Sequence, residues 1–412
     1  MQASHRNIPP PQHSIISNTL PHLGHVSIEV IIYIMDVLMG IGKAGLKKSG
    51  EPDILVILLP QSCNASFLFT SNHFKSASVL YSEKVLAETD RIRAMVINSG
   101  NANCGVGQEG IMHAEMMARE VAKHLDIDHK EVLVFSTGVI GKPLPIEDVL
   151  KGITSACKIL EPLDLKRASQ VISTTDRFPK YDFVKKGKLE VFGFAKGAGM
   201  IHPNMATMLS FVFTNADIDS LTLTELHKEI TEKTFNSITV DACTSTNDSF
   251  GLISLGVLKE DMQNIRQAVG EVSLNLAKKI VEDGEGATKI IKVIVKNASL
   301  SIKAKAIAEK VATSNLVKTA IFGKDPNWGR IVAAAGSTPF PIDQFKMKVY
   351  IGNHLVYDGK AHPKATEGAK KYLEENKEIE IIIDLREGKE NWIYYSSDLT
   401  YDYVRINSEY TT

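Results

Sequence analysis

The sequence predicts a mixed fold, α/β or α+β, of layered sheets and helices with an enzyme-like architecture. Three observations point to it. Short apolar runs alternate with stretches of helical periodicity from residue 94 onward. The runs at 132–135 and 208–213 are continuously apolar, as buried strands are. Toward the C-terminus the runs alternate apolar with polar residues, as half-buried strands do.

Residues 1–25 are rich in Pro, Ser and His and read as a loose arm. Val26 to Val37 is apolar but holds Glu29 and Asp36, so it falls short of the roughly 18 uninterrupted apolar residues of a membrane span. A buried strand or helix is expected there. No basic start with a small-residue cleavage site is evident, so a soluble, cytoplasmic protein is expected. AMVIN (94–98) reads as a strand. In the following helix, Ala114, Met117, Ala118, Val121, Ala122 and Leu125 share one face. VLVF (132–135) is a second strand, and Val149, Leu150, Ile153, Ala156, Cys157 and Leu160 mark a second helix. MLSFVF (208–213) is a buried strand. Thr222-x-x-Glu225 fits a capping box opening the next helix. Met262, Ile265, Val269, Val272, Leu276 and Ile280 form a long amphipathic helix stopped near Gly284. KIIKVIVK (289–296) is a strand. Phe345, Met347, Val349 and Ile351 alternate with polar residues, and Gly352-Asn353 suits a hairpin turn. Ile379, Ile381, Ile383 and Leu385 alternate again, giving a half-buried sheet with helices on one side.

Composition narrows the function classes. The 412 residues are enough for about two to three domains. With 44% hydrophobic and 23% charged residues the chain can bury a sizeable core, which excludes a disordered or disulfide-dependent miniprotein. The 47 basic and 48 acidic residues leave a net charge of −1, without the basic excess of a nucleic-acid binder. Cys63, Cys104, Cys157 and Cys243 are too far apart in sequence for a zinc-type pair and are expected to be reduced thiols.

Five segments concentrate chemistry-bearing residues. In 195–209, Lys196 stands among glycines, a loop is stopped by Pro203, and Ala206-Thr207 leads into an apolar strand. Glycines let a backbone approach a ligand or take positive φ, with a plain glycine-rich turn as the competing reading. The phosphate-loop pattern is absent. In 135–141, Thr137-Gly138 follows a strand, where a hydroxyl and a backbone N–H together make an oxyanion hole or merely an ordinary turn. In 240–248, Asp241 and Asp248 are potential metal ligands with no His close by. A polar network supporting a site, or helix capping, is expected there instead, and Cys243 carries no nucleophile signature. In 283–289, a helix cap at Gly284 is followed by Glu285, a carboxylate between glycines able to reach a cationic ligand. In 323–330, an aromatic and an arginine share a turn that either packs structurally or binds an anion.

As an ordered set these segments resemble one family closely, the ornithine acetyltransferases or glutamate N-acetyltransferases of arginine biosynthesis. The match comprises NSGNAN (98–103), STGVIG (136–141), TTD (174–176), KGAGMIHPNMATML (196–209), FNSITVDACTSTNDS (235–249), DGEGATK (283–289), GKDPNWGRI (323–331) and DLTYDYVRINSEYTT (398–412). It runs from about Gly40 to the last residue. The resemblance implies that family's layered fold with an N-terminal nucleophile, and self-cleavage between Ala206 and Thr207. An atypical arm (1–39), an alpha chain (40–206) and a beta chain (207–412) follow from it. The alpha and beta chains stay associated, as a heterotetramer of two of each.

The resemblance also implies acetyl transfer from N2-acetylornithine to glutamate through an acetyl-threonine. Thr207 supplies the hydroxyl nucleophile and an α-amine whose pKa near ~8 suits a base. Thr137 and the Gly138 N–H form the oxyanion hole. Thr174, Lys196, Thr207, Glu285, Asn407 and Thr412 contact substrate, Lys196 toward anionic groups and Glu285 toward cationic ones. One amide is exchanged for another, so no ATP, metal or other cofactor is expected, and no nucleic-acid or membrane partner. Forms with and without acetyl-CoA as a further donor both fit these residues.

Three departures from the family pattern stand out. Residues 1–39 lack the usual opening, Ser396-Ser397 replaces a common Gly-Cys pair, and Arg177 follows TTD where a small polar residue is usual. The last is expected to alter substrate contacts. Two rival readings are a related N-terminal-nucleophile aminopeptidase and a non-catalytic relative of the same fold. Intact Thr207, Thr137, Gly138, Lys196 and Glu285 argue against the second.

Overall fold

The computed structural model describes residues 34–202 and 208–409. The expected arm at 1–25, and Ala206, Thr207 and Thr412, lie outside the described residues. The chain runs β1 (Ile34–Gly42), β2 (Ile54–Phe69), α1 (Ala77–Glu88), β3 (Arg91–Asn101), α2 (Gly107–Leu125), β4 (Val132–Val139), α3 (Ile146–Lys158), β5 (Glu161–Leu163) and α4 (Leu165–Ile172). It continues through β6 (Lys180–Lys186), β7 (Leu189–Lys196), β8 (Leu209–Ala216), α5 (Ser220–Lys233), β9 (Ile238–Thr239), β10 (Ser249–Leu258) and α6 (Met262–Glu282). The last part comprises β11 (Ile290–Ala298), α7 (Ser301–Ala312), α8 (Asn315–Phe322), α9 (Trp328–Gly336), β12 (Lys348–Ile351), β13 (His354–Tyr357), α10 (Pro363–Glu375), β14 (Glu378–Asp384), β15 (Glu390–Ser397) and α11 (Tyr401–Glu409).

Among the described residues the strands form two sheets. The first has the order β4-β3-β2-β10-β8-β7-β6, with β1 joined to both β2 and the short β5. Its centre interleaves strands from either side of residues 203–207. β10 pairs antiparallel with β2 and parallel with β8, and β8 pairs antiparallel with β7. These central strands are apolar on both faces. On one face Val191, Val212 and Leu252 join α5 and α6 in a core that includes Val269, Leu276 and Ile280. On the other, Phe135 and Phe211 meet edge to face at 5.0 Å, with Phe67 and Phe194 each 5.4 Å from one of them. Each such side chain contributes about 1.5–3 kcal/mol by leaving water.

The second sheet has the order β13-β12-β14-β11-β15-β9. Ile291, Val293 and Val295 of β11 and Ile379, Ile381 and Ile383 of β14 face a core shared with α7 to α10. On the opposite face Lys292 pairs with Glu380 at 2.7 Å. The alternation in the sequence is thus a half-buried sheet with helices on one side. Ile351 and His354 pair across Gly352-Asn353, the expected hairpin turn.

Four local expectations are corrected. Thr222 does not open a capping box, because α5 starts earlier: Asp219 is the N-cap and accepts the Thr222 N–H at 3.0 Å. The C-cap of α6 is Asp283, one residue before Gly284. Phe345 belongs to a turn and is 78% exposed, and β12 begins only at Lys348. β1 takes in residues 34–39, so the stretch set apart as an arm ends inside a strand of the first sheet.

Candidate active site

A cavity of about 150 Å³ gathers six of the expected site residues: Thr137, Gly138, Thr174, Lys196, Glu285 and Asn407. They come from the end of β4, the loop after α4, the end of β7, the turn after α6, and α11. Thr207, Ala206 and Thr412 are outside the described residues; Met208, which follows Thr207, is buried.

Thr137 and Gly138 stand where the parallel β3–β4 pairing shifts register, with Asn101 opposite both Thr137 and Val139. Gly138 has φ +133°, and a Cβ there would lie 2.3 Å from the Gly100 carbonyl carbon, so only glycine fits. The Asn247 amide donates to the carbonyls of Ala102 at 2.7 Å and Ser136 at 2.8 Å, which ties this strand end to the 240–249 segment. Asn247 also lines the cavity; its polar run after an apolar stretch was the signal in the sequence.

Lys196 is buried and donates from Nζ to Thr137 Oγ1 at 3.2 Å. Burial pushes its amine below the usual lysine range, and Lys180 adds to that, against the pull of Asp176, Glu285 and Asp248. Asp176 accepts hydrogen bonds from Lys180 Nζ at 2.6 Å, the Gly197 N–H at 2.7 Å and the Thr174 N–H at 3.1 Å. Burial alone would raise its carboxyl, but Lys180 and Lys196 outweigh burial and hold it at about 2. Lys180 also bonds Asp283 at 2.6 Å, and Asp283 in turn accepts the Arg177 backbone N–H and Nε, each at 2.9 Å. Charges therefore alternate from Arg177 through Asp283, Lys180 and Asp176 to Lys196. They join the loop of Thr174, the glycine segment after β7 and the turn of Glu285. Arg177 is held by Asp283 and the Glu282 carbonyl; it lies outside this cavity and, with Thr174, lines a separate one of about 520 Å³.

Glu285 hangs on the same scaffold. Its N–H donates to the Ala198 carbonyl at 2.9 Å, and the Asn407 amide donates to its Oε2 at 3.0 Å. A Cβ on Gly199 would lie 2.3 Å from Glu285 Oε2, so the carboxylate needs a glycine beneath it.

The two aspartates of 240–248 hold backbone, as the polar-network reading expects. Asp241 accepts N–H groups of Met200, Ile201 and Cys243, and Asp248 accepts the Met208 N–H. Among the described residues no cluster of three metal-ligating side chains occurs. The Cys243 thiol lines the cavity, but burial and Asp241 raise its pKa, which disfavours the reactive thiolate. The 323–331 segment packs structurally: Trp328 stacks on Tyr357 at 5.2 Å, and Arg330 donates to the Leu316 carbonyl at 2.9 Å. Ser396 and Ser397 are buried at the end of β15. The four cysteines are free thiols.

The family model described as the ArgJ family matches residues 38–412. The chain belongs to the ArgJ family. An arginine biosynthesis bifunctional protein ArgJ of Aquifex aeolicus is 64% identical, covering 92% of this chain and 100% of its own length. A glutamate N-acetyltransferase of Methanothermobacter thermautotrophicus is 42% identical, covering 86% of this chain and 92% of its own. Among solved structures, an arginine biosynthesis bifunctional protein ArgJ from Bacillus halodurans is 39% identical with a TM-score of 0.48, covering 50% of this chain and 100% of that one. As a member of the ArgJ family, the chain is an acetyltransferase of arginine biosynthesis. Among its described residues no helix is long and apolar enough to cross a membrane.

Proposed function

We propose that this cavity moves an acetyl group from N2-acetylornithine to glutamate through an acetyl ester on Thr207. The observation that carries the reading is the Lys196–Thr137 hydrogen bond inside a cavity that also presents Glu285. A hydroxyl has one donor and two acceptor sites. With Lys196 on an acceptor site, the Thr137 proton is left to donate to an oxyanion, and the Lys196 charge stands behind it. The Gly138 N–H is the second donor. Removing one such donor typically costs about 2.7–4 kcal/mol of transition-state stabilisation.

The steps balance without an outside oxidant or energy source. The Thr207 oxygen bonds the acetyl carbon while its α-amine takes the hydroxyl proton. The amide C–N bond breaks, and that proton goes to the leaving nitrogen of ornithine. The glutamate amine then attacks the ester and the Thr207 hydroxyl is restored. No ATP, metal or other cofactor takes part. Glu285 faces the cationic side chain of ornithine. Asn407, Thr174 and Thr412 complete the substrate contacts.

The cavity, about 150 Å³, is small beside the ~300–1,000 Å³ of drug-sized sites, which suits amino-acid substrates. Acetyl-CoA as a further donor must keep most of its length outside the cavity.

Self-cleavage first frees the nucleophile. The Thr207 oxygen attacks the Ala206 carbonyl, the peptide C–N bond breaks with transfer of the hydroxyl proton to nitrogen, and water hydrolyses the ester. The resulting alpha and beta chains stay associated because β10 and β8 of one are inserted between β2 and β7 of the other. Two such pairs make the heterotetramer.

The test is to give the purified protein glutamate with N2-acetylornithine, and then with acetyl-CoA, and to measure acetylglutamate. Acetylglutamate from the first donor, absent in Thr207→Ala, is expected. Release of acetate without acceleration by glutamate, or of amino acids from peptides, favours a hydrolase or the aminopeptidase reading.

A further inference from the structure

The segment 240–249 grips the chain on both sides of the Ala206-Thr207 bond. Upstream, Asp241 accepts the N–H groups of Met200 at 2.6 Å and Ile201 at 2.9 Å. The Ile201 carbonyl accepts the Val240 N–H at 2.8 Å and the Thr239 hydroxyl at 2.9 Å. Downstream, Asp248 accepts the Met208 N–H at 2.8 Å, and the Met208 carbonyl accepts the Ser249 N–H at 3.0 Å. Met200 is held at φ +58°, a left-handed backbone that is unfavourable for a non-glycine residue. Asp248 does not line the cavity, so substrate contact does not account for it.

We infer that Asp241 and Asp248 are positioning residues for self-cleavage, fixing Ile201 and Met208 on either side of the Ala206-Thr207 bond. The inference rests on the self-cleavage reading above. Its physical basis is proximity: fixing both ends of a short segment removes conformations in which the two reacting groups are apart.

The two aspartates do this with different numbers of acceptors, and that difference makes the inference testable. Asp241 uses both oxygens: Oδ2 accepts from Met200 N–H and the Tyr403 hydroxyl, Oδ1 from the N–H groups of Ile201 and Cys243. Asparagine has only one acceptor oxygen and would turn its NH2 toward two donors. Asp248 holds Met208 with Oδ1, while its buried Oδ2 has no hydrogen-bond partner. Burial raises this carboxyl well above the usual range, and asparagine keeps its shape and the single acceptor oxygen that the Met208 N–H uses.

The full-length chain is purified quickly in the cold, and conversion to two fragments is followed by denaturing gel and intact mass. Thermal melting of each uncut variant reports its folding. Asp241→Asn and Asp248→Ala should be cut roughly ten-fold or more slowly than wild type, and Asp248→Asn within about three-fold of it. If Asp241→Asn does not fold, Thr239→Val, which removes the hydroxyl bond to Ile201, should be cut at least about three-fold more slowly. Wild-type rates in the folded variants overturn the inference, as does Asp248→Asn being as slow as Asp248→Ala. A wild-type chain that is never cut overturns the self-cleavage reading itself.

Discussion

Lys180 and Asp283 are 103 residues apart in sequence, yet Nζ and carboxylate meet at 2.6 Å with neither side chain exposed to solvent. Lys180 makes the same contact with Asp176. Removing the lysine leaves two buried carboxylates without their shared cation. We predict that Lys180→Met loses about 3–5 kcal/mol of stability, read as a lowered urea midpoint. A midpoint equal to that of wild type would show that the pair is not structural.

The same network sets an acid limit. Asp176 sits at about 2 in the folded chain, against an ordinary aspartate value of ~3.9. Its contribution to stability is therefore present above the ordinary value and lost as pH falls through the folded one. Between pH 4 and 2, roughly, wild type should lose stability more steeply than Asp176→Asn. Parallel curves over that window would contradict the assignment.

Thr137→Val keeps the shape of the side chain and deletes its O–H. If that hydroxyl donates to the oxyanion, kcat should fall by about 10²–10³ with KM little changed, and Thr137→Ser should recover most of the rate. A rise in KM at constant kcat would instead make Thr137 a substrate-binding group.

Gly199→Ala places a methyl where Glu285 lies, 2.3 Å from Oε2. The carboxylate has to move, so KM for N2-acetylornithine should rise more than KM for glutamate. Glu285→Gln should show the same bias. Equal effects on both substrates would separate Glu285 from recognition of the cation.

A covalent intermediate leaves a mass signature. Enzyme given N2-acetylornithine alone should gain one acetyl group on the fragment beginning Thr-Met-Leu-Ser, and initial-rate plots at several glutamate concentrations should be parallel. Intersecting lines with no acetylated fragment would indicate direct transfer in a ternary complex.

Much of the site was legible because its residues occur in short strings whose local geometry is set by neighbours. Thr137-Gly138 ends an apolar strand, and Glu285 stands between glycines. The charge network was not legible. A lysine ordinarily reads as exposed, but Lys180 is buried between Asp176 and Asp283, the second arriving from the far end of α6. The partner of Arg177 was hidden for the same reason, since Asp283 is distant in sequence. The long amphipathic helix and the alternating C-terminal strands were readable from periodicity. The start of α5 was not, because Asp219 and Thr222 are both good caps and only the path of the backbone chooses between them.

The interleaved order β2-β10-β8-β7 has a consequence for the life history of the molecule. An intact chain finds this sheet in a unimolecular search. If the backbone is cut between Ala206 and Thr207, as proposed above, each half lacks the neighbours its central strands require. Unfolding then separates two species, and refolding becomes a second-order encounter that slows with dilution. On the self-cleavage proposal, such an enzyme is built once, from a single precursor, and its lifetime is governed by the rate at which it first comes apart.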